Sequence, residues 1–250
     1  MEKSFLEKIR KLNWVLSEST TGNLSYSDLT RILCEIIDAN VYVIDSKGYV
    51  LGAAYKDAND TSTFEDELGA EKISESDNMS FLDIKETEKN LIGNQLVSLF
   101  GINYGMKEKY HMIIPCICSG GRLGTILLAR YNVSFTDEEV ALCEYGATVV
   151  ALEIQRNIHL QRAKERSLKM AVDIAMDTLS YSEKDALEKI LQELDGDEGQ
   201  IVASKIAAKY GLTNSVIVNA LKKLDGAGIL KTKSLGMKGM RIKIINPYLK

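Results

Sequence analysis

The sequence predicts an α+β chain in two parts: an antiparallel sheet with helices on one face, then a long helix leading into a small basic head. Three observations carry this reading. Runs rich in β-branched residues recur between Val41 and Ala129, no Gly or Pro interrupts Ala147 to Leu179, and the charge balance reverses after Gly199. From Gly199 to Lys250 ten Lys and Arg accompany a single acid, Asp225. The whole chain holds 31 basic and 35 acidic residues, which leaves 21 and 34 for the first 198 residues, a net of −13. Cations bound to phosphates release condensed counterions, so charge alone makes the C-terminal segment a candidate for a polyanion. A solubilising tail is the other reading of charge alone.

The first elements follow from periodicity. Ser4 to Leu16 and Tyr26 to Ile37 place apolar residues three and four apart, the spacing of two amphipathic helices. Val41-Tyr-Val-Ile and Tyr49-Val-Leu-Gly then read as a β-hairpin about the turn Asp45-Ser-Lys-Gly48. From Ala54 to about Asn94 the chain is polar and acidic, with Phe64, Ile73, Phe81 and Leu82 as apolar anchors, and is expected to form loops and short helices able to cover a ligand. Leu96 to Ile102, Met112 to Cys118 and Leu123 to Ala129 read as further strands, the last two joined by Ser119-Gly-Gly-Arg122. Thr136 with Glu139 fits a capping box opening the long helix, whose apolar seam runs through Val140, Cys143, Ala147, Val150 and Ile154. This order resembles sensor folds of the GAF or PAS kind, which hold a ligand between the sheet and its loops.

The basic segment resolves further. Ser182 with Asp185 is expected to cap a helix carrying Leu187, Ile190, Leu191 and Leu194, with Gly196 ending it. Beyond it, Ala203, Ala207, Gly211 and Ile217 stand at helix-turn-helix spacing: small residues let the helices approach, Gly accepts the left-handed turn, and Ile plugs the angle. Thr213 can cap the second helix, which buries Val216, Ile217, Ala220, Leu221 and Leu224 and turns out Asn214, Ser215, Asn219, Lys222 and Lys223. Asn can pair with adenine edges, and Lys reaches phosphate or guanine. Ile229 to Ser234 and Met240 to Ile245 alternate as strands about Leu235-Gly-Met-Lys-Gly239, giving a basic wing that carries Lys238 and Arg241. The whole is a winged helix-turn-helix.

At these residues the chain resembles the CodY family of nutrient-responsive transcriptional repressors. The resemblance rests on Leu179-Ser-Tyr-Ser182, Glu193-Leu-Asp-Gly196, Val202-Ala-Ser-Lys-Ile-Ala207, Ser215-Val-Ile-Val-Asn-Ala220 and Ser234-Leu-Gly-Met-Lys-Gly239, with Arg122-Leu-Gly-Thr125 and Glu144-Tyr-Gly-Ala-Thr-Val-Val150 in the first domain. It implies a GAF-like effector-binding domain over residues 1–155, a linker helix over 156–180 and a winged helix-turn-helix domain over 181–250. It also implies a cytoplasmic homodimer on double-stranded operator DNA. Its effectors would be isoleucine, leucine or valine together with GTP, and its genes those of amino-acid metabolism, stationary phase or virulence. The implied DNA-binding set is Ala203, Ser204, Lys205, Thr213, Asn214, Ser215, Asn219, Lys222, Lys223, Ser234, Lys238 and Arg241, with Asn214 standing where the family often has Arg.

For the amino acid, the family pattern falls on Ser98, Leu99, Phe100, Gly101 and Ile102, with Thr61, Thr63, Phe64 and Ile73 completing the wall. The Arg that clamps the carboxylate in many members has no counterpart near Asn59 to Thr63, so backbone N–H groups, Thr61, Thr63 or Lys56 would have to hold it. For the nucleotide, Ser46, Lys47 and Glu153 are the matching residues, Ile158 stands where a Lys is usual, and no phosphate-cradling GxxxxGK[ST] loop is present.

Other classes weigh less. No Ser-His-Asp, Cys-His or paired-carboxylate constellation marks an enzyme, so no catalytic residue and no cofactor beyond the effectors is expected. The alternative is a nucleotide-hydrolysing enzyme tethered to DNA by a winged helix. Regulators of the IclR kind join similar domains but put the DNA head first. Cys34, Cys116, Cys118 and Cys143 form no CxxC pair, and only His111 and His159 could join them, which predicts reduced core thiols and no metal site. The N-terminal MEKSFLEKIRKLNW interleaves charged and apolar residues and reads as neither signal peptide nor membrane span.

Overall fold

The computed structural model describes residues 4–18, 25–57, 63–93 and 109–250. The chain divides into two compact units, Met1–Ile158 and His159–Lys250.

In the first unit, helices α1 (Phe5–Glu18) and α2 (Tyr26–Ile37) precede the hairpin β1 (Asn40–Asp45) and β2 (Val50–Ala54). Ser25 caps α2 by accepting from Asp28 N–H. A two-residue ribbon, β3 (Phe64–Glu65) with β4 (Glu71–Lys72), leads to α3 (Glu75–Asp83) and β5 (Glu88–Leu91). Strands β6 (Lys109–Cys118) and β7 (Gly121–Tyr131) complete an antiparallel sheet of order β2-β1-β7-β6-β5. Their turn has Ser119 at φ 51° and Gly120 at φ 75°, the left-handed pair that a two-residue hairpin needs. The expected strand from Leu96 to Ile102 lies outside the described residues.

Strand alternation sends neighbouring side chains to opposite faces, and here both faces are covered. Val41, Val43, Met112, Ile114, Ile126 and Leu128 face a core with α1, α2 and the long helix α4 (Asp137–Asp177). Tyr42, Ile44, Ile113 and Leu127 face the other way and pack with Ile73, Leu91 and, from α3, Phe81. Thr136 and Glu139 form the expected reciprocal cap of α4. Arg130 ties the first core together. It forms a bidentate pair with Glu139 at 2.7 and 2.8 Å, donates to the carbonyls of Ile37, Val133 and Ser134, and stacks on Phe135.

In the second unit, the end of α4 packs with α5 (Tyr181–Glu193), β8 (Glu198–Ile201), α6 (Ala203–Tyr210), α7 (Asn214–Gly226), β9 (Leu230–Ser234) and β10 (Met240–Ile244). The strands pair in the order β8-β10-β9. One cap differs from expectation: Ser180, not Ser182, opens α5. Ser180 is extended, its hydroxyl accepts from Glu183 N–H, and the Glu183 carboxylate accepts from Ser180 N–H. Both serines precede an acid by three residues, but Glu reaches back where Asp is short.

Cys116 and Cys143 are buried, and all four cysteines are free thiols. Burial pushes the Cys116 thiol up to about 12 and raises that of Cys143 as well. Among the described residues no helix is long and apolar enough to cross a membrane, and no His, Cys, Asp and Glu cluster could hold a metal ion.

Candidate nucleic-acid interface and effector face

Helices α6 and α7 meet at Gly211, which takes φ 69° and donates its N–H to Ala207 O, so the left-handed turn closes without a Cβ penalty. Thr213 caps α7 by accepting from Val216 N–H, and its hydroxyl lies 3.1 Å from that of Ser215. Ile217 and Ala220 are fully buried against the rest of the unit, with Leu221 and Leu224 beside them. The opposite face is turned outward and holds Asn214, Ser215, Asn219, Lys222 and Lys223, all exposed. On α6, Ser204 and Lys205 are exposed while Ala203 packs against the core.

The wing follows strand alternation. Ile242 and Ile244 point inward, while Lys231, Lys233, Arg241 and Lys243 share the outer face, Lys233 opposite Arg241 and Lys231 opposite Lys243. Like charges directly opposite repel. Glu198 on β8 offsets this, bonding Arg241 at 2.6 Å and lying 3.7 Å from Lys243. Ser234 and Lys238 are exposed at the tip, with the Lys238 carbonyl accepting from Gln200.

The cations of the head therefore divide into two groups. Lys209 pairs with Glu193, Lys223 with Glu183, Arg241 and Lys243 with Glu198, and Lys250 with Asp197. Lys205, Lys222, Lys231, Lys233 and Lys238 are exposed and, among the described residues, have no acid within ion-pair reach. Asp225, the one acid in this stretch, accepts from the hydroxyl and N–H of Thr232 and so joins α7 to β9. The interface is thus free of outward-facing acid along α7.

The candidate effector face is the second apolar side of the first sheet, where Tyr42, Ile44, Ile73, Phe81, Ile113 and Leu127 form a buried cluster. Ile73 is buried in it. Thr63 stands at its border, where its hydroxyl donates to Glu71 Oε1 at 2.6 Å and Tyr55 donates to the same oxygen at 2.8 Å. Burial first, and then Glu71, push the Tyr55 phenol up to about 12. Lys56 pairs with Asp38 at 2.5 Å. Thr63 and Lys56, two of the three side chains offered as stand-ins for a carboxylate clamp, are thus engaged within the protein. Phe64 lies on β3 in register with Lys72. Thr61, Ser98, Leu99, Phe100, Gly101 and Ile102 lie outside the described residues. Asn40, which the sequence did not single out, accepts from the N–H groups of Lys56 and Asp57 and fixes where the chain leaves β2 toward residue 58.

At one end of the same sheet, Ser46 and Lys47 form the β1–β2 turn, held by Asp45, which accepts from Lys47 and Tyr49 N–H. A Cβ on Gly124 would meet Asp45 Cα at 3.4 Å and Ile154 Cδ1 at 3.3 Å, so Asp45, where this turn begins, and the Ile154 side chain of α4 both border Gly124. Glu153 is 8% exposed, its Oε2 lies 3.4 Å from Arg156, and its buried Oε1 has no hydrogen-bond partner among the described residues. Arg122 is spent on structure: it donates to the Phe81 and Ile84 carbonyls that end α3 and to Thr125, which leaves Ser119 to Arg122 as a hairpin turn.

Comparison with known proteins matches both units. Residues 4–178 match the family model described as the CodY GAF-like domain, and residues 197–249 match the CodY helix-turn-helix domain. Proteins named global transcriptional regulator CodY from Clostridium acetobutylicum and Clostridium kluyveri are 42% and 44% identical, the alignments covering 98% of this chain and 95% and 96% of theirs. A namesake from Anoxybacillus flavithermus is 40% identical over 97% of this chain and 95% of its own. Among solved structures, the cofactor-binding GAF domain of the nutrient sensor CodY from Clostridium difficile is 39% identical, with a TM-score of 0.50 over 62% of this chain and 99% of that one.

Proposed function

This chain belongs to the CodY family of global transcriptional regulators, with a GAF sensor domain and a helix-turn-helix DNA-binding domain, and we propose that a branched-chain amino acid on its effector face raises its affinity for operator DNA. The observation that carries this is the reading surface: an acid-free outer face on α7 beside a wing rich in cations, in a chain whose other unit keeps a buried apolar sheet face. Asn214, Ser215 and Asn219 address base edges. Ala203, Ser204, Lys205 and Thr213 bring the backbone of α6 and the start of α7 to the phosphates, Lys222, Ser234 and Lys238 with Lys231 and Lys233 of the wing complete the phosphate set, and Arg241 joins it only by leaving Glu198. The protein acts chiefly as a repressor of amino-acid-supply and stationary-phase or virulence genes. It does so as a cytoplasmic homodimer whose two heads match a palindrome.

The mechanism is a population shift. Isoleucine, leucine or valine lays its side chain on the apolar face, and its carboxylate is held by backbone N–H groups or Thr61, because the Thr63 proton is donated to Glu71 and Lys56 is paired. The ligand must bind the DNA-competent arrangement more tightly than the other, or it shifts nothing. GTP is the second effector. Glu153 supports this, since a buried carboxylate oxygen without a donor suits the N–H groups on a guanine edge, and Ser46 and Lys47 lie at the same end of the sheet. Calorimetry of the full chain with isoleucine, then GTP, tests both: saturable heat for each is expected, and none with isoleucine would overturn the effector assignment.

A further inference from the structure

Resting on the reading of α7 as the DNA-facing helix, we infer that Lys223 is a positioning residue that straps this helix to the end of α4, and not a phosphate ligand. Although Lys222 and Lys223 are adjacent and both exposed, they point to different surroundings. The Lys223 ammonium donates to Thr178 O at 3.0 Å and to Glu183 Oε2 at 2.7 Å. Thr178 follows the last residue of α4, where helix carbonyls lack intrahelical partners and the helix dipole is negative, so a cation is doubly favoured there. The same Glu183 oxygen accepts Ser180 N–H in the cap of α5. One carboxylate thus joins α5, the end of α4 and the recognition helix.

The carboxylate is built to stay charged. Glu183 is 7% exposed, and hydrogen bonds from Lys223 first, then from Ser180, hold its pKa below the usual carboxylate value. For Lys223 to reach a phosphate, it would have to leave that carboxylate behind with only its capping bond. The end of α4 is itself fixed within the head. The Leu168 carbonyl accepts from Asn246 at 2.8 Å, Lys169 lies over the Tyr248 ring, and Val172 and Ala175 are in the core with Leu179 just beyond the helix. A displacement of that end is therefore delivered to α7 through Lys223.

Glu183→Gln separates the two roles because Gln keeps the capping bond but loses the charge. It is tested in the full-length protein by anisotropy on a duplex selected from a random pool by the wild type, with and without isoleucine. A strap predicts that Glu183→Gln and Lys223→Met both weaken binding by about two- to thirtyfold at an unchanged salt slope. It also predicts that Lys223→Arg restores the affinity and that the tightening by isoleucine shrinks in the two disruptive variants. A phosphate role predicts the opposite sign: Glu183→Gln would release Lys223 and tighten binding, while Lys223→Met would flatten the salt slope as Lys222→Met does. Either result, or no change in affinity and isoleucine response in either variant, overturns the inference. If Lys222→Met also leaves the slope unchanged, the assignment of α7 to DNA fails instead. Thermal melts identify a variant that has unfolded, and Glu183→Gln, with its cap intact, then carries the test.

Discussion

Replacing Lys222 by Ala should remove one phosphate contact from each winged helix while leaving its core untouched, since the side chain is exposed and has no acid partner among the described residues. Lys205, Lys222, Lys231, Lys233 and Lys238 are the cations that need break nothing to meet DNA. At roughly 0.9 per phosphate, five such contacts give a slope of log affinity against log salt of about −4.5 per head, and losing one flattens it to about −3.6. Between about 50 and 200 mM salt the wild-type head would then lose about 500-fold in affinity and the variant about 150-fold. The assay is anisotropy of a labelled duplex across a salt series, repeated on a scrambled duplex. Binding to both should weaken alike, because a phosphate carries no sequence information. A wild-type slope near zero, or one that Lys222→Ala does not change, would refute the assignment.

Asn219→Ala should act in the other sense, relaxing preference at one base position by about 1–3 kcal/mol while keeping the salt slope; competition among single-base operator variants reads this directly. Ile217→Ala opens a cavity between α6 and α7 at a residue of zero exposure and should cost about 2–5 kcal/mol, seen as a lower urea midpoint. Arg130→Met strands the largely buried Glu139 carboxylate and three carbonyls, so a loss of about 3–5 kcal/mol is expected in the first unit's unfolding transition. Glu139 also gives the wild type an acid limit. Burial raises its pKa, but the hydrogen bonds from Arg130 and Thr136 outweigh this and hold it below 4.5. A depressed folded pKa means that its stabilisation is complete above the unfolded value and is lost as pH falls through the folded one. Thermal melts should therefore show a steeper acid decline in the wild type than in Glu139→Gln.

Much of the fold was legible because its elements make strong local demands. Gly211 is needed where the backbone turns left-handed, Ile217 fills the angle behind it, and Thr136 with Glu139 announces α4 just ahead of the apolar seam that begins at Val140. Strand β8 left no such mark: Glu198 to Ile201 is short and polar, and it is a strand only because β10 offers an edge. The same strand supplies Glu198, so the pairing of Arg241 could not be foreseen from the wing alone. Lys223 is the sharper case. Its position on α7 matches a phosphate ligand, and only a partner forty residues earlier in sequence shows the internal bond. In the first sheet the strands show as apolar runs rich in β-branched residues, whereas the Tyr55, Thr63 and Glu71 cluster depends on a ribbon of two-residue strands too short to carry a pattern.

In the proposed mechanism the effector face governs the DNA head. The most direct measurement of this is the affinity of the full-length protein for a selected palindromic duplex, at fixed salt, with and without saturating isoleucine. Tighter binding with isoleucine, and no change with an amino acid of charged side chain, is the expected result. Equal affinity in the presence and absence of isoleucine, at concentrations where calorimetry shows it bound, would contradict the account.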